Sequence, residues 1–216
     1  MIGEKWSPEA LTDGLGSTFK IVDCSIKPFP SEALTHAPIS AVLDLVIEND
    51  LAPNDIASIE IFTLKRAAEI LADEKKYIID SRETADHSLP YCIAAAVVSR
   101  ELTPRQFSPE SLRDTAILSM VPRVKASLDA SYELRFPAEQ PCRVIITTID
   151  GRRFDGERAY PKGDPRDQLS SDELTRKFSV LAEGILDEAA QNAAHDAVYS
   201  IDDEQPIADL MRHFST

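Results

Sequence analysis

Arg82-Glu83-Thr84-Ala85-Asp86-His87-Ser88-Leu89-Pro90-Tyr91 runs directly into the apolar segment Cys92 to Val98. The junction reads as a helix start, with Asp86, His87 and Ser88 standing where a cap is needed and the apolar run carrying the helix to about Arg100. Alanines at 94, 95 and 96 permit close packing against a neighbour. The same ten residues have an electrostatic reading. Free amide N–H groups and the helix dipole add to the charge of Arg82 beside His87, which are the makings of a carboxylate or phosphate site. The plain alternative is a capped helix with Arg82 paired to Glu83 on the surface.

Upstream, Thr18 to Ile26 alternates and is rich in β-formers, so it reads as a strand ended by Pro28 and Pro30, with Lys27 at its end. From Ser31 or Glu32, apolar residues recur at helical spacing (Leu34, Ile39, Val42, Leu43, Val46, Ile47) to about Asn49-Asp50, with Pro38 marking a kink or a later start. Ile56 to Leu64 alternates as a second strand, and the charged stretch 65–81 reads as loop plus weak helix. Downstream, Ser108 and Pro109 predict a helix to about Met120.

From Val124 the texture changes. Ala126, Leu128, Ala130 and Tyr132 alternate with mostly polar neighbours, 136–141 turns the chain, and Arg143 to Ile149 alternates again. Asp150-Gly151 is the strongest hairpin signal, in a turn with positive φ at both central positions, and Arg153 to Tyr160 is the return strand. The stretch 124–160 therefore reads as a three-stranded antiparallel meander. After a polar link, Ser170-Ser171-Asp172-Glu173 is a capping box above the stripe Leu174, Phe178, Leu181, Ala182 and Ile185. Two further helices are expected at about 188–200 and 206–214.

These elements predict an α+β fold: a small mixed sheet with an antiparallel meander, packed by helices and followed by a short helical tail. The chain divides into a flexible leader at 1–17, an α+β domain at 18–160 and a helical tail at 161–216. The tail has apolar stripes to bury although the α+β layer is already covered by its own helices, which implies a partner surface.

A formal net charge of −14 argues against nonspecific nucleic-acid binding and against anionic membranes. A local basic cluster still leaves room for a small anionic ligand. With no spanning segment and no signal-peptide pattern, the expected location is the cytoplasm. Cys24, Cys92 and Cys142 form no C-x-x-C pair, so each is expected as a buried reduced thiol, and a zinc site or disulfide framework is disfavoured. Gly14-Leu15-Gly16 lacks a preceding strand and the third glycine of a nucleotide fingerprint. No G-x-S-x-G is present. Of the histidines, 195 and 213 read as surface groups, while His36, nine residues after Lys27, can share a cleft with it.

Three stretches taken together are more specific. Lys27-Pro28-Phe29-Pro30-Ser31 with His36, then Arg82 to Tyr91, then Tyr160-Pro161-Lys162-Gly163-Asp164-Pro165 with Leu174 and Lys177-Phe178, resemble the 2-methylcitrate dehydratase (MmgE/PrpD) family in order and separation. The resemblance runs from about Phe19 to about Leu186. It implies a metal-independent hydro-lyase, needing no cofactor, that acts on small di- or tricarboxylates. Members dehydrate 2-methylcitrate in propionate catabolism, and relatives decarboxylate cis-aconitate or epimerise similar acids.

Family members carry a large all-helical domain and a smaller α+β domain inserted before the final helices, and this chain resembles only that second half. The resemblance makes Lys27 an active-site residue that holds a substrate carboxylate or stabilises charge developing on it, with His36 beside it in a cation role. Arg82 and His87 then position substrate, or tie the second helix to the sheet. Since the active site lies between the two domains, it further implies a helical-domain partner chain. A non-catalytic carboxylate-binding module and a homodimerising structural fragment are the alternatives.

Overall fold

The computed structural model describes residues 7–201 and 206–214. Residues 1–6 of the expected leader, and 202–205 and 215–216 of the expected tail, lie outside the described residues. In chain order the elements are α1 (His36–Glu48), β1 (Ile56–Thr63), α2 (Lys65–Ile70), α3 (Arg82–Asp86), α4 (Leu89–Ser99), α5 (Thr115–Met120), β2 (Val124–Leu128), α6 (Ala130–Glu133), β3 (Cys142–Thr148), β4 (Arg153–Arg158), α7 (Ser171–Ala182), α8 (Glu188–Tyr199) and α9 (Ile207–Arg212). The fold is α+β, with a mixed sheet of order β2-β1-β3-β4.

β1 holds the sheet together. Ile59 and Ile61 pair with Val124 and Ala126 in parallel on one side, and with Ile146 and Val144 in antiparallel on the other. Its buried residues Ile59, Ile61 and Thr63 share a face, as the alternation predicts. That face is covered by α1 over β3 and β4, and by α4 over β2. Gly156 of β4 has no Cβ, which lets the Leu45 side chain of α1 settle onto the strand. The opposite face is mixed, with Glu60 and the exposed Arg143–Asp155 pair around buried Ile145 and half-buried Phe62.

The junction at 82–91 forms a helix start as expected. Ser88 is the N-cap, accepting from Tyr91 N at 3.1 Å, and Pro90 lies in the first turn, where a missing N–H costs nothing. Leu89 to Val97 is buried throughout, and Tyr91 donates its hydroxyl to the Gln106 carbonyl at 2.6 Å. α4 ends at Arg100, whose left-handed backbone (φ 57°) turns the guanidinium onto Asp50 at 2.6 Å. Pro38 falls in the first turn of α1, so the later of the two expected starts is the one found.

Four expectations are corrected. Thr18 to Ile26 is not a strand. Lys20–Asp23 is a 3₁₀ turn, and Phe19, Ile21 and Val22 are exposed, because no sheet edge lies alongside to complete the ladder. Second, 124–160 is not a three-stranded meander: β1 takes the place between β2 and β3, and β2 runs parallel to it after a helical crossover. The alternation at Ala130 and Tyr132 belongs to α6, which Asp129 caps through Ser131 N at 2.9 Å. Third, the helix expected from Pro109 is broken. Ser108 supports only the 3₁₀ turn Ser111–Arg113, and Asp114 then caps α5 through Ala116 N at 2.7 Å. Fourth, the hairpin between β3 and β4 turns through Ile149, Asp150 and Gly151, with positive φ at Gly151 (88°) but not at Asp150, so it is the longer glycine-bulge form.

The capping box opens α7 as read: Ser170 N donates to Glu173 Oε2 at 2.7 Å, and Glu173 N donates to Ser170 Oγ at 3.2 Å. Along α7 to α9 and their connections, Leu181, Ile185, Tyr199, Ile207 and Met211 are exposed. Among the described residues no helix is long and apolar enough to cross a membrane.

The three alanines of α4 are fully buried. Ala95→Leu is therefore expected to overpack the helix against its neighbours and lower unfolding stability by about 1–3 kcal/mol, read by urea denaturation. A change within a few tenths would show that α4 is loosely packed.

Candidate active-site loop

The three stretches singled out in the sequence meet. Ile26 N donates to the Gly163 carbonyl at 2.9 Å, which docks the start of the first stretch on the third. Glu32 N donates to the Asp86 carbonyl at 3.0 Å, which docks the same loop on the second. Gly163 is required at the first contact. Its φ is +87°, and a Cβ there would sit 2.0 Å from the Ile26 carbonyl oxygen. The surrounding turn is pinned by Asp164, which accepts from Arg166 N at 2.9 Å and from Arg166 Nε at 2.7 Å, and by Arg166 stacking 3.8 Å over the Tyr160 ring.

Within the first stretch, two candidate residues converge on one acceptor. Lys27 Nζ donates to the Ser31 carbonyl at 3.1 Å, and His36 Nε2 lies 3.2 Å from the same oxygen. A carbonyl can only accept, so Nε2 carries the proton. Ser31 and Thr35 exchange a hydroxyl hydrogen bond at 2.8 Å, and Glu32 accepts from Leu34 N at 2.6 Å, so the loop is closed on itself before α1 begins. Phe29 meets the His36 ring edge-on at 5.5 Å. Lys27 is exposed whereas His36 is buried.

That burial sets the imidazole's charge. Loss of solvent, with the Lys27 ammonium adding to it against the opposing Ser31 hydrogen bond, holds the His36 pKa down at about 4. His36 is thus neutral near pH 7 and serves as a hydrogen-bond donor rather than the cation the sequence reading assigned to it.

In the second stretch, His87 Nδ1 lies 2.5 Å from Asp86 Oδ1, with the His87 side chain half exposed. Asp86 therefore links the imidazole to the Lys27 loop through its own carbonyl. Arg82 begins α3 and is exposed; among the described residues it forms no ion pair, so the expected Arg82–Glu83 pair is not made. The structure places Lys27 and His36 together and ties His87 to them at one remove, while Arg82 stands at the outer end of α3.

Burial pushes the Cys142 thiol up to about 12 and raises that of Cys92 as well, so neither is a thiolate near pH 7. Cys24 is exposed, contrary to expectation, because the segment that carries it packs on no sheet. His195 is half-buried against the Tyr199 ring at 4.5 Å rather than a free surface group. Among the described residues no group of three His, Cys, Asp or Glu side chains is placed to hold a metal ion.

Sequence reasoning passed over Arg158. It bonds Asp44 of α1 at 2.6 Å and Asp167 at 2.5 Å, joining the helix, the sheet and the 161–168 link. The available signal was its phase, since Phe154, Gly156 and Arg158 alternate onto the same face of the sheet as their partners Ile146, Val144 and Cys142.

Two outcomes follow. Gly151→Ala meets nothing within 4 Å and should show left-handed strain alone, about 1–2 kcal/mol. Gly163→Ala adds the collision with Ile26 and should exceed it in thermal unfolding; equal losses would mean that the stretches are not docked. For His36, the unfolded imidazole titrates near 6.5 and the folded one near 4, so its contribution is fully present above pH 6.5 and lost as pH falls towards 4. The loss is on the order of 3 kcal/mol. Urea denaturation between pH 7 and pH 4 should show this part of the acid slope missing in His36→Gln, and parallel curves would contradict a histidine held neutral.

A family model described as the MmgE/PrpD C-terminal domain matches residues 29–203. The match begins just after Lys27 and Pro28 and takes in the rest of the three docked stretches. The chain therefore belongs to the MmgE/PrpD family, through its C-terminal domain.

Proposed function

We propose that this chain is the C-terminal portion of a 2-methylcitrate dehydratase-like lyase, acting in the cytoplasm on small di- or tricarboxylates and completed by a helical-domain partner chain. The observation that carries the proposal is the convergence of Lys27 and His36 on the Ser31 carbonyl, in a loop held by the other two family stretches. Eliminating water from a β-hydroxy acid needs a base at the acidic C–H and a cation where charge develops on the carboxylate. Lys27 suits the second task. Its ammonium rests on a neutral carbonyl, and a substrate carboxylate would offer it a charge-assisted bond roughly twice as strong. His36, neutral and buried, holds the carbonyl in place when the ammonium leaves it. His87 and Arg82 are assigned to the substrate's remaining carboxylates.

No base stands beside Lys27 in the contacts described above, and we assign it to the helical partner. The exposed apolar residues of the tail, Ile185 at 64% and Tyr199 at 61%, support a surface for that partner. A second reading, a carboxylate-binding module without catalysis, is favoured by the Lys27 ammonium being already satisfied within its own loop.

Co-expression with a helical-domain homologue is expected to give a complex that dehydrates 2-methylcitrate, and Lys27→Ala should lower kcat by roughly 10²-fold or more. Absence of both the complex and the activity would remove the lyase reading. Calorimetric binding of citrate by the chain, lost in Lys27→Ala and unaccompanied by turnover in the complex, would establish the binding module instead.

A further inference from the structure

A cleft of about 410 Å³, lined by Pro28 and Phe29 on one wall, is bounded by α1, the turn after α4, the end of β4 and α7. Neither Lys27, His36, Arg82 nor His87 lines it. Its walls carry five cationic side chains against three anionic ones, in a chain whose net charge is −14. Asp50 and Asp167, outside the lining, pair with Arg100, Arg158 and Lys162, so the local charge is balanced and what distinguishes the cleft is which cation is left over.

Four of the five cations are held by acids: Arg158 by Asp44, Lys162 by Glu173, Arg176 by Glu101 and Arg100 by Asp50. Lys177 is the exception. Its side chain lines the cleft and is partly buried, yet among the described residues it enters no ion pair and no hydrogen bond. Its ammonium is thus the one cation of the cleft, among the described residues, whose donors are not engaged by an acid and are open to a ligand. Glu173, one turn back on the same helix, is not available, because its carboxylate caps α7 and faces Lys162. Phe29, Leu43 and Leu102 supply an apolar side to the same cleft.

We infer that this cleft is a second ligand site, distinct from the Lys27–His36 convergence although it shares Pro28 and Phe29 of that loop, and that it takes a small organic oxyanion with its charged head on Lys177 and an apolar portion against Phe29 and Leu43. The volume lies within the range of small-molecule sites and exceeds what a bare inorganic ion fills.

Phenyl phosphate and phenylacetate test it by isothermal calorimetry on the full chain, with benzyl alcohol as the uncharged probe. The expected result is binding of at least one anion, no binding of benzyl alcohol, about tenfold or greater weakening in Lys177→Gln and recovery in Lys177→Arg. Lys27→Gln should leave the affinity unchanged. The tighter of the two anions identifies the head group as phosphate or carboxylate. Failure of both anions to bind at millimolar concentration would overturn the inference. So would equal binding by Lys177→Gln with an unchanged melting temperature, or loss in Lys27→Gln alone, which would assign the anion to the Lys27 loop.

Discussion

The constraint on which the structure turns is that α4 has no polar side to offer water. From Leu89 to Val97 every residue is buried, so the helix must be enclosed by α1, α5 and β2 together. Its small residues make this possible, since three alanines in succession let neighbours approach without voids. A helix enclosed in this way needs its end groups satisfied within the protein. Ser88 caps the first turn and also donates to the Lys76 carbonyl, and the Tyr91 hydroxyl finds Gln106.

Enclosing α4 also places the candidate site. The turn that enters the helix presents the Asp86 carbonyl to Glu32, so the loop carrying Lys27 is held against the second stretch by the packing of the core. Gly163 fixes the other end by admitting the Ile26 carbonyl where no side chain fits. Two groups of opposite exposure then share the Ser31 oxygen. The ammonium reaches it from the solvent side and the imidazole from the interior.

Charge is distributed with similar economy. Most cations near the 161–168 link are consumed in joining elements: Arg158 ties β4 to α1, and Lys162 and Arg176 tie α7 to the body. Such partly exposed pairs contribute little stability each, and among the described residues they leave Lys177 as the cation of the cleft without an acid partner. The exposed apolar residues of α7 to α9 follow from the same arrangement, because α7 is joined to the body largely through its charged side.

What the sequence determined by itself is what depends on neighbours a few residues away. The Ser170–Glu173 capping box, the alternation of β1, the Ser88 helix start and the loop that brings His36 back to Lys27 all close within a turn or a strand. Their hydrogen bonds and burial follow from local spacing. Tertiary structure decided the rest. Thr18 to Ile26 has the composition of a strand, but a strand exists only beside another, and no edge was there. The β2-β1-β3-β4 order depends on 56–63 reaching both 124–128 and 142–148, a choice that periodicity does not encode. Arg158 is unremarkable in the sequence for the same reason, since it acquires its role from Asp44 far along the chain, and Lys177, visible there only as part of the third stretch, is set apart by the fold as a cation with no acid partner among the described residues.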